Sequence, residues 1–174
     1  MLGGIMKQRF RHLLYLVLLV TLDQVSKIWA KARLPQKPIT IIPGVLKLQY
    51  HENTGAVWGV MSGKTLFLTI LTFIILIALA YMYIKIPQGK KYMPLQIAWI
   101  FIISGAIGNL VDRIFRKYVV DFIYFELIDF PIFNIADSYI TVSCIFLLIL
   151  VFFYYKEEDL EFLDLSLFKK KKSK

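Results

Sequence analysis

The sequence predicts an all-α integral membrane protein of four transmembrane helices, with a small extracytoplasmic β-sheet in the first connection. Three observations carry that prediction. Of 174 residues, 58% are hydrophobic, more than the roughly half that a soluble domain uses. The apolar residues gather into four runs, about 12–30, 66–84, 95–113 and 134–155, each near the ~20 residues that cross a bilayer as a helix. Between the first two runs, ITII (39–42) and VLKLQY (45–50) read as short extended stretches about a Pro43-Gly44 turn.

The elements follow in chain order. Lys7, Arg9 and Arg11 precede the first apolar run, and with Ala30-Lys31-Ala32 after it the segment imitates a cleavable signal peptide. Kept as the first membrane helix, it carries Asp23 and Lys27 as permanent residents. After the extended stretches, NTGAVWG (53–59) leads into the second run with small residues that permit close backbone approach. Pro87, Gly89 and Pro94 turn the chain toward the third run. An aromatic-rich connection, 114–133, leads to the fourth, where Asn134 and Asp137 read as a helix N-cap with an acid in the first turn. One membrane domain takes in residues 1–174, ending in a cytoplasmic tail, 156–174.

Charge sets the expected topology. The balance is +9, from 21 Lys and Arg against 12 Asp and Glu, but the basic residues lie between and outside the apolar runs, so nucleic acid is not the expected partner. The N-terminal segment, the Lys85-Lys90-Lys91 connection and the tail (Lys156, Lys169–Lys172, Lys174) are assigned to the cytoplasm by the positive-inside tendency. Lys31, Arg33, Lys37, Lys47 and Lys64 in the first connection run against a clean count. The Lys-rich tail is a candidate for contact with anionic lipid and equally a solvated, topology-setting segment. Cys144, the single cysteine, excludes an intrachain disulfide, and as a buried thiol it is not expected to be a nucleophile. His12 and His51 have no partner at metal-ligand spacing, and neither a metal nor another cofactor is expected.

With both termini inside, nearly every acid outside the tail falls at the extracytoplasmic face. An Asp in the core of a bilayer costs about 2.5–3.5 kcal/mol, so intramembrane acids are functional candidates by default. Each cluster has a plainer reading. Asp23 and Lys27 are an i, i+4 pair with the acid first. Asn109, Asp112 and Arg113 share one helix face and would hold helices together. Glu126 and Asp129 sit where a solvated loop would keep them. For Asp121, between Val119, Val120, Phe122 and Ile123 with no basic residue immediately beside it, a capping or turn role is less natural.

Read in order, DQVSK (23–27), NTGA (53–56), GNLVDR (108–113), VVDF (119–122) and FNIADS (133–138) resemble the five sequence boxes of the bacterial lipoprotein signal peptidases, or signal peptidase II. The resemblance covers residues 7–155. The departure at Val57-Trp58, where the family more often has a smaller residue followed by Phe, bears on the rim of the pocket rather than on its chemistry. The resemblance implies a four-helix aspartyl protease of the bacterial cytoplasmic membrane, both termini cytoplasmic and the active site extracytoplasmic. Its expected reaction removes the signal peptide from diacylglyceryl-modified prolipoproteins immediately before the lipidated cysteine. It implies Asp121 and Asp137 as the catalytic pair. Asn53, Asn109, Arg113 and Asn134 would line the substrate site, with Asp23 and Asp112 holding the framework and Lys27, Gly55 and Ala136 serving as binding or support residues. It further implies a short surface helix over 56–62, after the sheet.

Two carboxylates in a low-dielectric site share a proton and titrate as a unit, which allows acid-base hydrolysis without a metal. Asp137, in a helix first turn, is expected to stay ionised, and Asp121, among apolar residues, to hold the proton. The expected partners are lipidated prolipoproteins and membrane lipids, and a monomer is expected. An ion- or proton-coupled transporter would place its acids near the midplane, between repeats. A non-enzymatic scaffold would leave converging acids without a purpose.

Overall fold

The computed structural model describes residues 2–55, 61 and 63–163. The predicted surface helix over 56–62 and the Lys-rich stretch of the tail therefore lie outside the described residues, Met61 apart. The chain runs α1 (Leu2–Arg33), β1 (Ile39–Ile42), β2 (Leu46–Asn53), α2 (Thr65–Lys85), α3 (Met93–Phe115), β3 (Val119–Phe125) and α4 (Ile135–Phe153). Short 3-10 turns occupy Lys90–Tyr92, Glu126–Ile128 and Glu157–Leu163. Among the described residues four helices are long and apolar enough to cross a membrane, and the predicted fold class holds.

The third crossing is the hub. Of its most apolar stretch 67% is buried, against 6% in α2 and 17% in each of α1 and α4, because α3 packs against all three other helices. Small residues make this possible. A Cβ at Gly105 would lie 2.5 Å from the carbonyl oxygen of Ala136 on α4, and one at Gly108 would collide with the Asp23 carboxylate on α1. Close approach of this kind is how membrane helices gain packing when lipid is as apolar as their side chains. The outward faces of α1, α2 and α4 display Leu18, Leu22, Phe73, Ile77, Ile145 and Leu148, a surface suited to acyl chains and not to water.

The first helix is longer than its apolar run. At 32 residues it spans about 48 Å, beyond the ~30 Å hydrocarbon core. Hydropathy marks the buried length and is blind to helical turns that continue into water, here chiefly residues 2–11 ahead of the apolar run. Cys144 also departs from expectation, since it is exposed on α4 and faces the lipid side rather than the protein interior.

The sheet is antiparallel, in the order β1-β2-β3, and its third strand comes from the connection between α3 and α4. Pro43-Gly44 makes the β1–β2 turn, with Gly44 at φ +70°, where glycine meets no steric cost. In the β2–β3 register Asn53 faces Val119 and His51 faces Asp121, so Asn53 and Asp121 are diagonal neighbours on one face. Val120 and Phe122 point the other way and pack with Ala30 and Leu34 at the end of α1. After β3, the turn through Asp129, at φ +48°, reverses the chain. Phe133 N then donates to Ile123 O at 3.0 Å, and Ile123 N returns a bond to Phe133 O at 2.8 Å. That short bridge sets Asn134, the residue before α4, beside Asp121.

Candidate active site

Two fully buried carboxylates and one buried lysine form the base of the site. Lys27 Nζ lies 2.9 Å from Asp23 Oδ2, 3.1 Å from Asp112 Oδ2 and 2.8 Å from Asn109 Oδ1. These three acceptors satisfy the three ammonium donors. Asp23 Oδ1 accepts from Ala136 N at 3.1 Å, which takes one of the backbone donors left free at the start of α4. Asp112 Oδ2 accepts from Val120 N at 3.1 Å, and Asp112 Oδ1 pairs with Arg116. Gln24 Nε2 donates to Gly108 O at 3.0 Å. With two acids against Lys27 and Arg116, the base is electrically balanced, as buried ions require. It ties α1, α3, β3 and α4 together at one end of the bundle.

Above it stand Asp121, on β3, and Asp137, in the first turn of α4. Asn134 links them. Its Nδ2 donates to Asp121 Oδ1 at 2.7 Å, its Oδ1 accepts from Asp137 N at 3.0 Å, and its backbone N–H donates to Asp137 Oδ2 at 3.1 Å. The last two bonds are a reciprocal capping box. The remaining carboxylate oxygens are also held. Asp121 Oδ2 accepts from Asn53 Nδ2 at 2.9 Å, and Asp137 Oδ1 accepts from Asn109 Nδ2 at 2.8 Å.

Each amide is oriented by a group that can only donate. Lys27 fixes the oxygen of Asn109, leaving its NH2 for Asp137. The Asp137 N–H fixes the oxygen of Asn134, leaving its NH2 for Asp121 and, at 3.1 Å, for Asn109 Oδ1. Gly55 N fixes the oxygen of Asn53 at 2.9 Å, leaving its NH2 for Asp121. Both carboxyls thus receive hydrogen bonds whose polarity is set from outside the pair.

Their surroundings differ. Asp121 is 1% exposed, whereas Asp137 is half-buried and lies at a helix N-terminus, which favours negative charge. Burial, with the neighbouring Asp137 charge, pushes the Asp121 carboxyl up to about 7; the bonds from Asn53 and Asn134 and the charge of Lys27 pull the other way. Arg113, half-buried at the end of α3, donates to Gly55 O at 3.3 Å and feels the charges of Asp137 and Asp121. The two carboxyls therefore sit in unlike surroundings beside a guanidinium. Among the described residues no group of three or more His, Cys, Asp or Glu is placed to hold a metal ion.

A family model described as signal peptidase (SPase) II matches residues 15–153. The chain belongs to the signal peptidase II family. A lipoprotein signal peptidase of Streptococcus pyogenes serotype M1 is 39% identical over 155 residues, covering 88% of this chain and 98% of that protein. One from Staphylococcus aureus strain JH9 is 44% identical over 140 residues, or 79% of this chain and 85% of that protein. Two solved structures described as bacterial membrane enzymes, obtained by the in meso method, superimpose with TM-scores of 0.72 and 0.71 at 39% and 38% identity. The first covers 84% of this chain and 92% of its own, the second 83% and 94%.

Membership in signal peptidase II makes the chain an integral membrane peptidase of lipoprotein processing. All the singled-out residues of the five boxes, Asp23, Lys27, Asn53, Gly55, Asn109, Asp112, Arg113, Asp121, Asn134, Ala136 and Asp137, meet in this one cluster. Glu126 and Asp129 do not join it: Glu126 pairs with Lys47 at 3.0 Å, and Asp129 accepts from the Tyr124 hydroxyl. Val57 and Trp58 lie outside the described residues. Sequence reasoning missed Arg116, although its i+4 spacing from Asp112 is a signal. It also missed Gln24 as a support residue, and the backbone donors of Val120 and Ala136, which no side-chain pattern reveals.

Proposed function

We propose that the protein is an aspartyl endopeptidase that removes the signal peptide from diacylglyceryl-modified prolipoproteins, cleaving before the lipidated cysteine with Asp121, Asp137 and water. The observation that carries this reading is that both carboxyls hang on Asn134 in unlike surroundings. Environments that push two carboxyl pKa values apart assign acid and base roles.

In this scheme Asp137 enters as the carboxylate and takes a proton from water as the water oxygen attacks the scissile carbonyl carbon. Asp121 enters protonated and gives its proton to the carbonyl oxygen. The tetrahedral intermediate collapses as Asp137 returns its proton to the departing cysteine amine, and Asp121 recovers a proton from the intermediate's hydroxyl. Arg113 holds a peptide carbonyl, while Asn53, Asn109 and Asn134 position the two carboxyls. The site lies at the end where α1 terminates, which the positive-inside tendency makes extracytoplasmic. There the substrate's acyl chains stay in the bilayer while its peptide bond reaches headgroup depth. One protease domain, acting as a monomer, suffices for this scheme.

The test is cleavage by purified protein in detergent of a prolipoprotein with and without its diacylglyceryl group, read by mass spectrometry. The expected product begins at the lipidated cysteine and forms only from the modified substrate. A chelator should leave the rate unchanged, since no step uses a metal. Cutting at another bond, or no cutting by folded protein, would overturn the proposal.

A further inference from the structure

At the junction of α1 with β1, a crevice of about 760 Å³ is lined by Trp29, Arg33, Lys37, Pro38, Ile39 and Thr40. We propose that it binds the phosphodiester headgroup of an anionic glycerophospholipid. Arg33 and Lys37 supply two positive charges, and neither forms an ion pair among the described residues. Lys31, by contrast, is engaged with the Tyr118 hydroxyl at 2.7 Å, and Lys47 with Glu126. Arg33 is the last residue of the α1 span, which sets the crevice at the boundary between hydrocarbon and headgroups, where tryptophan is enriched.

The apolar approach to the crevice suits the rest of such a molecule. Leu18, Leu22, Val25 and Trp29 recur at helical spacing and are all exposed, at 55%, 49%, 58% and 40%. They form a ridge along α1 that ends at Arg33. From Leu18 to Trp29 the ridge runs about 16 Å, a length that an acyl chain can follow while its phosphate reaches Arg33 and Lys37. The exposed Ile39 beside them adds apolar surface at the same depth. A zwitterionic lipid brings its own cation to the two basic groups, so the charge pattern selects a net-negative headgroup.

The test is native mass spectrometry of the detergent-purified full chain offered equal amounts of dioleoylphosphatidylglycerol and dioleoylphosphatidylcholine. Wild type should retain the anionic lipid preferentially, and each of Arg33→Gln and Lys37→Gln should reduce that retention about fivefold. Lys37→Gln lies outside every helix and keeps the test valid if the helix variant fails to fold. Phosphatidylglycerol with brominated chains should quench wild-type tryptophan fluorescence more than that of Trp29→Phe. Equal retention of the two lipids, unchanged preference in both variants, or displacement of the lipid by inorganic phosphate would overturn the proposal. None of these readouts uses peptide cleavage, so their failure is separate from any failure of the proposed protease reaction.

Discussion

Asn134 Nδ2 stands 2.7 Å from Asp121 Oδ1, and the same residue caps the helix that carries Asp137. Helix capping and the orientation of two carboxyls are therefore one set of bonds. Asn134→Ala should lose the cap, at about 1 kcal/mol of stability. Cleavage should fall further than that loss explains, by on the order of a hundredfold, the scale at which misplacing reacting groups acts. Thermal unfolding and steady-state kinetics on one preparation separate the two effects. Equal and small losses in both would mean that Asn134 is a cap and nothing more.

Lys27 is the keystone of the base. Lys27→Met would leave Asp23 and Asp112 buried without their shared cation and free the Asn109 amide to flip. Breaking a buried ion pair from one side costs about 3–5 kcal/mol, so the variant should unfold well below wild type. The double variant Lys27→Met/Asp23→Asn should recover part of that loss, which a double-mutant cycle in a fixed detergent would measure.

The packing of α3 gives a different kind of expectation. Gly108→Ala would drive a methyl into the Asp23 carboxylate, pushing it off both Lys27 and Ala136 N. Overpacking of this sort costs about 1–3 kcal/mol. Because the displaced group supports α4, cleavage should fall as well. An unchanged melting temperature would show that the two helices can spread at no cost.

The pH dependence follows from Asp121. Its carboxyl rises from an ordinary 3.8 to about 7, so the working form, with Asp121 protonated, is lost as pH climbs through about 7, and kcat/KM should decline tenfold per pH unit beyond it. The stability sign is the same. A raised carboxyl contributes stability that is fully present below its unfolded value and lost as pH rises through the folded one. Asp121→Asn, neutral at every pH, should therefore gain in melting temperature relative to wild type between pH 5 and pH 8. A difference that stays flat over that window would remove the protonated-Asp121 assignment.

Much of this was legible in the residues because the signals are local. The apolar runs of α2, α3 and α4 nearly coincide with the helices, Pro43-Gly44 marks the β1–β2 turn, and Asn134 three residues before Asp137 announces a cap. The Asp23–Lys27 pair likewise follows from i, i+4 spacing and is found at 2.9 Å. Long-range effects were not legible. VVDFIYF becomes a strand because its partner β2 lies some seventy residues earlier, and nothing in its own pattern separates it from a greasy loop. The reach of α1 past its apolar run, the outward-facing Cys144 and the service of Arg116 to Asp112 depend on packing that periodicity does not encode.

The most direct test of the central claim is turnover of a diacylglyceryl-modified prolipoprotein by Asp121→Asn and Asp137→Asn, compared with wild type in detergent at matched folding. The shared-proton dyad predicts that both variants bind the substrate and neither cleaves it. Cleavage surviving at a wild-type rate in either variant would contradict the pair, whatever the geometry around Asn134.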